Sequence, residues 1–168
     1  METTQITETL NQVISPAQLL EHWQGHRNLT RRVIEAFPED KIFDYSIGGM
    51  RPLSELVMEL TDLAEAGIEG LATGKWRPTE ELSHVNGKLP QTKEEILAKW
   101  DEVTEQINRY WPLLELSAFQ KSVTAFGQYE GTIISTILYF IDNENHHRGQ
   151  AYVYLRSLGI NPPFFWER

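Results

Sequence analysis

The segment between residues 142 and 150 places polar side chains in the middle of a predicted apolar helix: Asn143, Glu144, His146, His147 and Arg148. Glu144 and His147 are three residues apart, the spacing by which bundle helices direct two ligands at one metal ion. Asn143 lies one helical turn before His147. Imidazole binds zinc, nickel, copper and iron, and a carboxylate adds compensating negative charge. The pattern therefore indicates a divalent metal site.

The apolar stripe of this helix defines which of these residues point inward. Ile133, Ile137, Phe140, Ala151 and Leu155 lie on one face at about 100° per residue. Glu144 falls near the centre of that stripe and His147 on its flank. A buried carboxylate is costly unless a cation, a proton or a hydrogen-bond donor accompanies it. The same residues are therefore equally typical of a buried hydrogen-bond cluster in which Arg148 pairs with Glu144.

Two further residues are candidates on other helices. His26 lies on the apolar face of the first predicted helix, four residues after His22. A single histidine on such a face is more often a satisfied core residue than a ligand. Glu59 lies at the edge of the apolar face of the second helix, where by itself it indicates a boundary charge.

Four helices are predicted to position these residues, at about 15–37, 52–70, 92–112 and 132–158. Ser15 and Thr92 are predicted N-caps, each with a glutamine or glutamate three residues later that completes a capping box. Pro38 ends the first helix, and Gly159 is a plausible stop for the last. We expect a loop at 112–130 with at most one short strand or turn.

The fold class that these elements predict is all-α, a four-helix bundle forming one domain over residues 1–168. The connection between the second and third helices is longer than usual, and it would suit a crossover between two helices that run in the same direction.

Composition narrows the possible partners. The formal net charge is −9 and no basic stripe is visible, so nucleic acid is an unexpected partner. The sequence contains no cysteine, which excludes disulfides and thiolate ligands.

The N-terminus has no signal-peptide pattern and no apolar run spans a membrane, so a cytoplasmic protein is expected. No nucleotide, phosphate-loop or flavin signature is present.

The string His146-His147-Arg148-Gly149-Gln150, followed by Tyr152 to Arg156 and Gly159, resembles the end of DinB-like (damage-inducible, YfiT-related) proteins. The resemblance extends over most of the chain, including Arg51-Pro52 at the start of a helix. It implies a four-helix bundle in up-down-down-up order, frequently a homodimer. It also implies a divalent metal held by three histidines, one in the second helix and two in the fourth.

Matched by motif, the three family positions fall on Glu59, Asn143 and His147 of this chain. Only His147 keeps the family's residue type. Two alternatives follow from the resemblance. Either the site is lost, or it is rebuilt as a mixed site from Glu59 and His147, with Glu144 or His26 as a substitute ligand. Such a donor set suits nickel, zinc, iron or manganese.

Two functions are consistent with these features. Some DinB-like proteins are thiol-dependent transferases or isomerases, and a similar enzyme here would use the metal as a Lewis acid and a spare imidazole, His146 or His26, as base. The alternative is a non-catalytic bundle that binds a small-molecule ligand or forms a dimer. The sequence identifies no substrate.

Overall fold

The computed structural model describes residues 13–168, and these residues are mostly helical. The prediction about a signal peptide concerns residues that lie largely outside this range. The helices, in chain order α1 to α5, are Pro16–Ala36, Leu53–Thr73, Ser83–Asn86, Lys93–Tyr110 and Ile133–Ser157. The four long helices begin and end within three residues of the predicted bounds. No helix among the described residues is long and apolar enough to cross a membrane.

Side-chain caps start three of the four long helices. The capping box between Ser15 and Gln18 is present as predicted, with both reciprocal hydrogen bonds. Thr92 accepts from the backbone N–H of Glu95, but the Glu95 carboxylate accepts from Gln91 instead of from Thr92, so the second predicted box is incomplete. The sequence analysis did not identify the box that Thr132 forms with Ser135 at the start of α5.

Two connections contain more structure than the sequence predicted. Strands β1 (Ser122–Ala125) and β2 (Tyr129–Thr132) pair antiparallel, so the all-α assignment is wrong in this segment, which carries two strands instead of at most one. Phe126 and Gly127 form the tight turn with φ of 53° and 69°. The connection between α2 and α4 contains α3 and a 3₁₀ turn, Thr79–Glu81. Both connections were predicted as loops because their apolar residues follow neither the helical nor the strand periodicity for long enough.

The core consists of two apolar clusters along the length of the helices. One cluster joins the first halves of α1 and α5 to the second halves of α2 and α4, and the other cluster joins the opposite halves. Both α1 and α2 pack against α4 and α5. Helix α5 contributes residues before its polar segment to one cluster and residues after that segment to the other. The candidate site residues are therefore placed in the middle of the bundle.

Gly67 of α2 allows close contact with α5. A Cβ atom at this position would lie 2.3 Å from Cζ of Phe140, whose ring is buried and stacked on Trp23. Gly149 of α5 is also a mid-helix glycine, but a Cβ atom there would meet nothing within 4 Å.

We predict opposite effects of alanine at these two glycines. Gly67→Ala should lower the free energy of unfolding by about 1–3 kcal/mol, because overpacking outweighs the gain in helix propensity. Gly149→Ala should raise it by roughly 0.5–1 kcal/mol, because only the propensity term changes. Urea denaturation of both variants measures the difference. Equal stabilisation by the two substitutions would contradict close packing of Gly67 on Phe140.

Candidate metal and ligand site

The polar residues of α5 are divided between two neighbouring helices. Glu144 and Arg148 face α1, where they contact Thr30 and His26. Asn143 and His147 face α2, where both contact Glu59. The structure therefore brings together Glu59, Asn143 and His147, and it places Glu144 and His26 in a separate cluster. His146 is exposed on the surface.

The inner cluster forms around the Glu144 carboxylate, and Glu144 is only 2% exposed. Thr30 Oγ1 donates to Glu144 Oε1 at 2.5 Å, and Arg148 Nη1 donates to the same oxygen at 3.4 Å and to Thr30 Oγ1 at 2.9 Å. Burial raises the pKa of Glu144, while the charges of Arg27 and Arg148 and the Thr30 hydrogen bond oppose that rise. This is the Arg148–Glu144 arrangement of the hydrogen-bond alternative.

His26 belongs to this inner cluster, and both of its ring nitrogens already have protein partners. Arg148 Nη2 donates to His26 Nδ1 at 2.8 Å, while His22 Nε2 and Arg168 Nη1 each lie 3.2 Å from His26 Nε2. Burial, followed by the charges of Arg148 and Arg168, lowers the pKa of His26 to about 3. The ring is therefore neutral at physiological pH, held by arginine and histidine.

The outer cluster forms around the Glu59 carboxylate. Oε1 lies 3.2 Å from His147 Nε2 and accepts from Asn143 Nδ2 at 3.1 Å, while Oε2 accepts from Arg51 Nη2 at 2.5 Å. The hydrogen bond to His147, followed by those from Arg51 and Asn143, holds the pKa of Glu59 well below its usual range in spite of burial. Glu59 is therefore an ionised carboxylate with an oxygen directed at the imidazole.

A contact between Nδ1 of His147 and Gln150 sets the orientation of the imidazole ring. Nδ1 lies 2.8 Å from Gln150 Oε1, so Nδ1 carries the hydrogen and donates it. In the neutral ring Nε2 then has a lone pair directed at the Glu59 oxygen, whereas in the imidazolium Nε2–H donates the hydrogen bond that lowers the pKa of Glu59. Two acceptors facing each other at this distance repel unless a proton or a metal ion lies between them. Metal-ligating histidines typically donate their other N–H in this way, to an oxygen acceptor.

The donor set fits an open metal site with two strong protein ligands. Two ligand atoms that each lie roughly 2.1 Å from one ion are about 3 Å apart at near-right angles, which agrees with the Glu59–His147 distance. Asn143 can add only an amide oxygen. Within residues 13–168 no three carboxylate or imidazole side chains converge on one point. The remaining coordination positions would belong to water or to a bound ligand.

A cleft of about 520 Å³ opens beside Glu59, between α2, α5 and the β-hairpin. This volume suits a small molecule. Its walls are mainly apolar and aromatic, and the polar side chains that residues 13–168 contribute to it include two carboxylates but no lysine or arginine. The lining residues are Glu59, Leu63, His84, Ala125, Phe126, Tyr129, Glu130, Gly131, Ser135, Thr136, Tyr139 and Phe140.

His84 is the site residue that the sequence analysis missed. It lies on α3 and lines the cleft, although its segment was predicted to be a loop. Its ring contacts Asp62 of α2, whose Oδ2 lies 2.8 Å from His84 Nδ1. The pair is 22 residues apart in the chain and forms no motif. By helical spacing Asp62 lies on the side of α2 opposite Leu56 and Leu60, so no local pattern marked the pair.

The model of the DinB family matches residues 4–167. The uncharacterised protein YjoA of Bacillus subtilis (strain 168) is 27% identical over 158 residues, which is 90% of this chain and 96% of YjoA.

Two crystal structures have the same fold. A DinB-like protein from Bacillus cereus ATCC 10987 has a TM-score of 0.68 at 16% identity, covering 89% of this chain and 97% of that chain. A DinB-like protein (YjoA) from Bacillus subtilis has a TM-score of 0.69 at 20% identity, covering 90% and 99%.

We predict that Arg148→Met destabilises the fold by about 3–5 kcal/mol near neutral pH, because it removes the cation that is hydrogen-bonded to the buried Glu144 and leaves only the charge of Arg27. Without Arg148 the folded-state pKa of Glu144 rises further above the unfolded value. Relative to the parent protein, the added cost is therefore absent below the parent's folded-state pKa of Glu144 and develops as pH rises through it. Denaturation from pH 4 to 8 measures this. Arg109→Met, at an exposed arginine of α4, is the control. A pH-independent loss of less than about 1 kcal/mol for Arg148→Met, on the scale of a surface pair, would contradict the account of Glu144.

Proposed function

This chain belongs to the DinB family, and on that premise we propose that it binds a divalent metal ion through Glu59 and His147 at the edge of a small-molecule cleft. The observation that carries the proposal is the position of His147 Nε2, 3.2 Å from Glu59 Oε1, in a ring whose Nδ1–H is already bound to Gln150. This is the geometry of a ligand pair held ready by a neighbouring residue.

The charges at the site favour a weak to moderate affinity. Glu59 supplies the one carboxylate, and Arg51 already compensates part of its charge. Asn143 replaces a stronger ligand with a neutral amide. Imidazole and carboxylate together suit nickel, zinc, iron or manganese, and they disfavour copper(I), which prefers sulfur.

The cleft gives the ion a role in ligand binding. Glu59 belongs both to the donor pair and to the cleft wall, so a molecule in the cleft would reach the open coordination positions. A bound divalent ion supplies Lewis-acid polarisation of a ligand atom. The DinB resemblance supports a thiol transferase or isomerase as the reaction class, while the apolar walls equally support a protein that binds a ligand without transforming it.

We further propose that the long helices follow the up-down-down-up order. The composition of the first apolar cluster supports this order, because the start of α1 lies with the ends of α2 and α4 and with the start of α5. In this order α2 and α4 run in the same direction, as their long connection allows.

We also propose a homodimer. Three aromatic side chains near the C-terminus are well exposed: Phe164 at 58%, Phe165 at 62% and Trp166 at 63%. Adjacent exposed aromatic residues of this kind are enriched at protein interfaces.

The first prediction of this proposal concerns the metal. Chelator-treated protein titrated calorimetrically with nickel or zinc should bind one ion per chain, and His147→Ala and Glu59→Gln should each abolish the saturable heat. Binding should weaken as pH falls through the histidine range, because protonated imidazole cannot ligate. His146→Ala changes the neighbouring exposed histidine and should bind normally.

Absence of saturable heat for either ion, with the fold intact, would contradict the metal proposal. It would leave Glu59, His147 and Arg51 as a hydrogen-bonded ion cluster.

The second prediction concerns assembly. Light scattering should give the mass of two chains, and replacement of Phe165 and Trp166 together by serine should shift the protein toward one chain with unchanged helical content. A parent protein that stays monomeric at high concentration would refute the dimer.

A further inference from the structure

His84 and Asp62 form a buried hydrogen-bonded pair at the cleft, outside the proposed metal ligands. Asp62 Oδ2 accepts from the backbone N–H of His84 and contacts its Nδ1, both at 2.8 Å. The Asp62 side chain is 2% exposed, and that of His84 is 16% exposed. Because the backbone contact also fixes the start of α3, the imidazole is held on two sides.

The contact with Asp62 sets which nitrogen of His84 carries the hydrogen. A carboxylate only accepts, so Nδ1 is the donor and Nε2 of the neutral ring has its lone pair free. No protein partner of His84 Nε2 is found among residues 13–168, and His84 lines the cleft. An imidazole oriented by a buried carboxylate through Nδ1–H, with Nε2 open to a ligand, is the arrangement of a general base.

We propose that His84 is the proton acceptor of the cleft and that Asp62 is its positioning residue. The ligand's S–H or O–H bond breaks, its proton moves to His84 Nε2, and the electron pair stays on sulfur or oxygen. Asp62 stabilises the resulting imidazolium through Nδ1–H. The inference rests on the proposed function in that it uses the same cleft, but the proton transfer requires no metal.

The lining of the cleft indicates the ligand class. Phe126, Tyr139 and Phe140 offer an apolar, aromatic surface, whereas Glu59 and Glu130 disfavour a ligand that arrives as an anion. A neutral molecule with an apolar or aromatic body and a weakly acidic thiol or hydroxyl group satisfies both conditions. It becomes an anion only after the proton has moved to His84, so that an imidazolium accompanies the new charge.

The test uses 4-nitrophenol, whose phenolate absorbs visible light and whose phenol form absorbs only at shorter wavelength. Chelator-treated protein is titrated at a near-neutral pH just below the pKa of the free probe, where an ordinary imidazole is still largely unprotonated. The parent protein should produce saturable phenolate absorbance, and His84→Asn should reduce it at least tenfold. Asparagine can still donate to Asp62, so thermal unfolding should be nearly unchanged. Asp62→Asn should also lower the phenolate signal, and His146→Asn, outside the cleft, should leave it intact.

Absence of excess phenolate with the parent protein, or an equal signal with His84→Asn, would overturn the proposal. A signal that appears only with added zinc and is lost in His147→Ala but not in His84→Asn would also overturn it, while supporting the metal site. Nitrogen-15 NMR of the imidazole rings gives a ligand-free check. Neutral His84 should carry its hydrogen on Nδ1, and a ring protonated on Nε2 would refute the geometry on which the proposal depends.

Discussion

The buried carboxylate of Glu144 is the constraint on which the arrangement of the bundle depends. A carboxyl group at that depth needs hydrogen-bond partners and, when it is ionised, opposite charge, and Thr30 and Arg148 provide both. Because Thr30 is on α1 and Arg148 on α5, satisfying Glu144 fixes how α5 is rotated against α1. Helical periodicity then directs His147, three residues after Glu144, toward α2. The inner cluster thus orients the outer one without sharing a residue with it.

The two clusters differ in role: the polar groups of the inner cluster bind one another within the core, whereas those of the outer cluster lie where a ligand could reach them. In the inner cluster Glu144 Oε1 and His26 Nδ1 accept hydrogen bonds, and the His26 ring is neutral. In the outer cluster the Glu59 carboxylate remains ionised beside the cleft. The hydrogen-bond cluster and the proposed metal site, which compete for the same residues at the level of sequence, therefore involve different residues of one helix: Glu144 and Arg148 in the first, and His147 in the second.

Sequence alone predicted the long helices closely, because capping residues such as Ser15 and regular apolar spacing are local signals. It also identified Glu144 and His147 as inward-facing. It could not predict which neighbouring helix would cover each residue, since helical spacing defines faces but not partners. Glu59 was identified only through the family resemblance. His84 was missed because its role depends on Asp62, which reaches it through the fold and not through a spacing in the chain.

The central claim is that Glu59 and His147 together hold one metal ion. The most direct measurement is anomalous diffraction at the nickel or zinc absorption edge, from crystals of chelator-treated protein soaked with that ion. The account predicts one strong peak per chain, within bonding distance of His147 Nε2 and a Glu59 carboxylate oxygen, with Gln150 still bound to Nδ1. A map without a peak there, in which Arg51 and His147 remain hydrogen-bonded to Glu59, would contradict it.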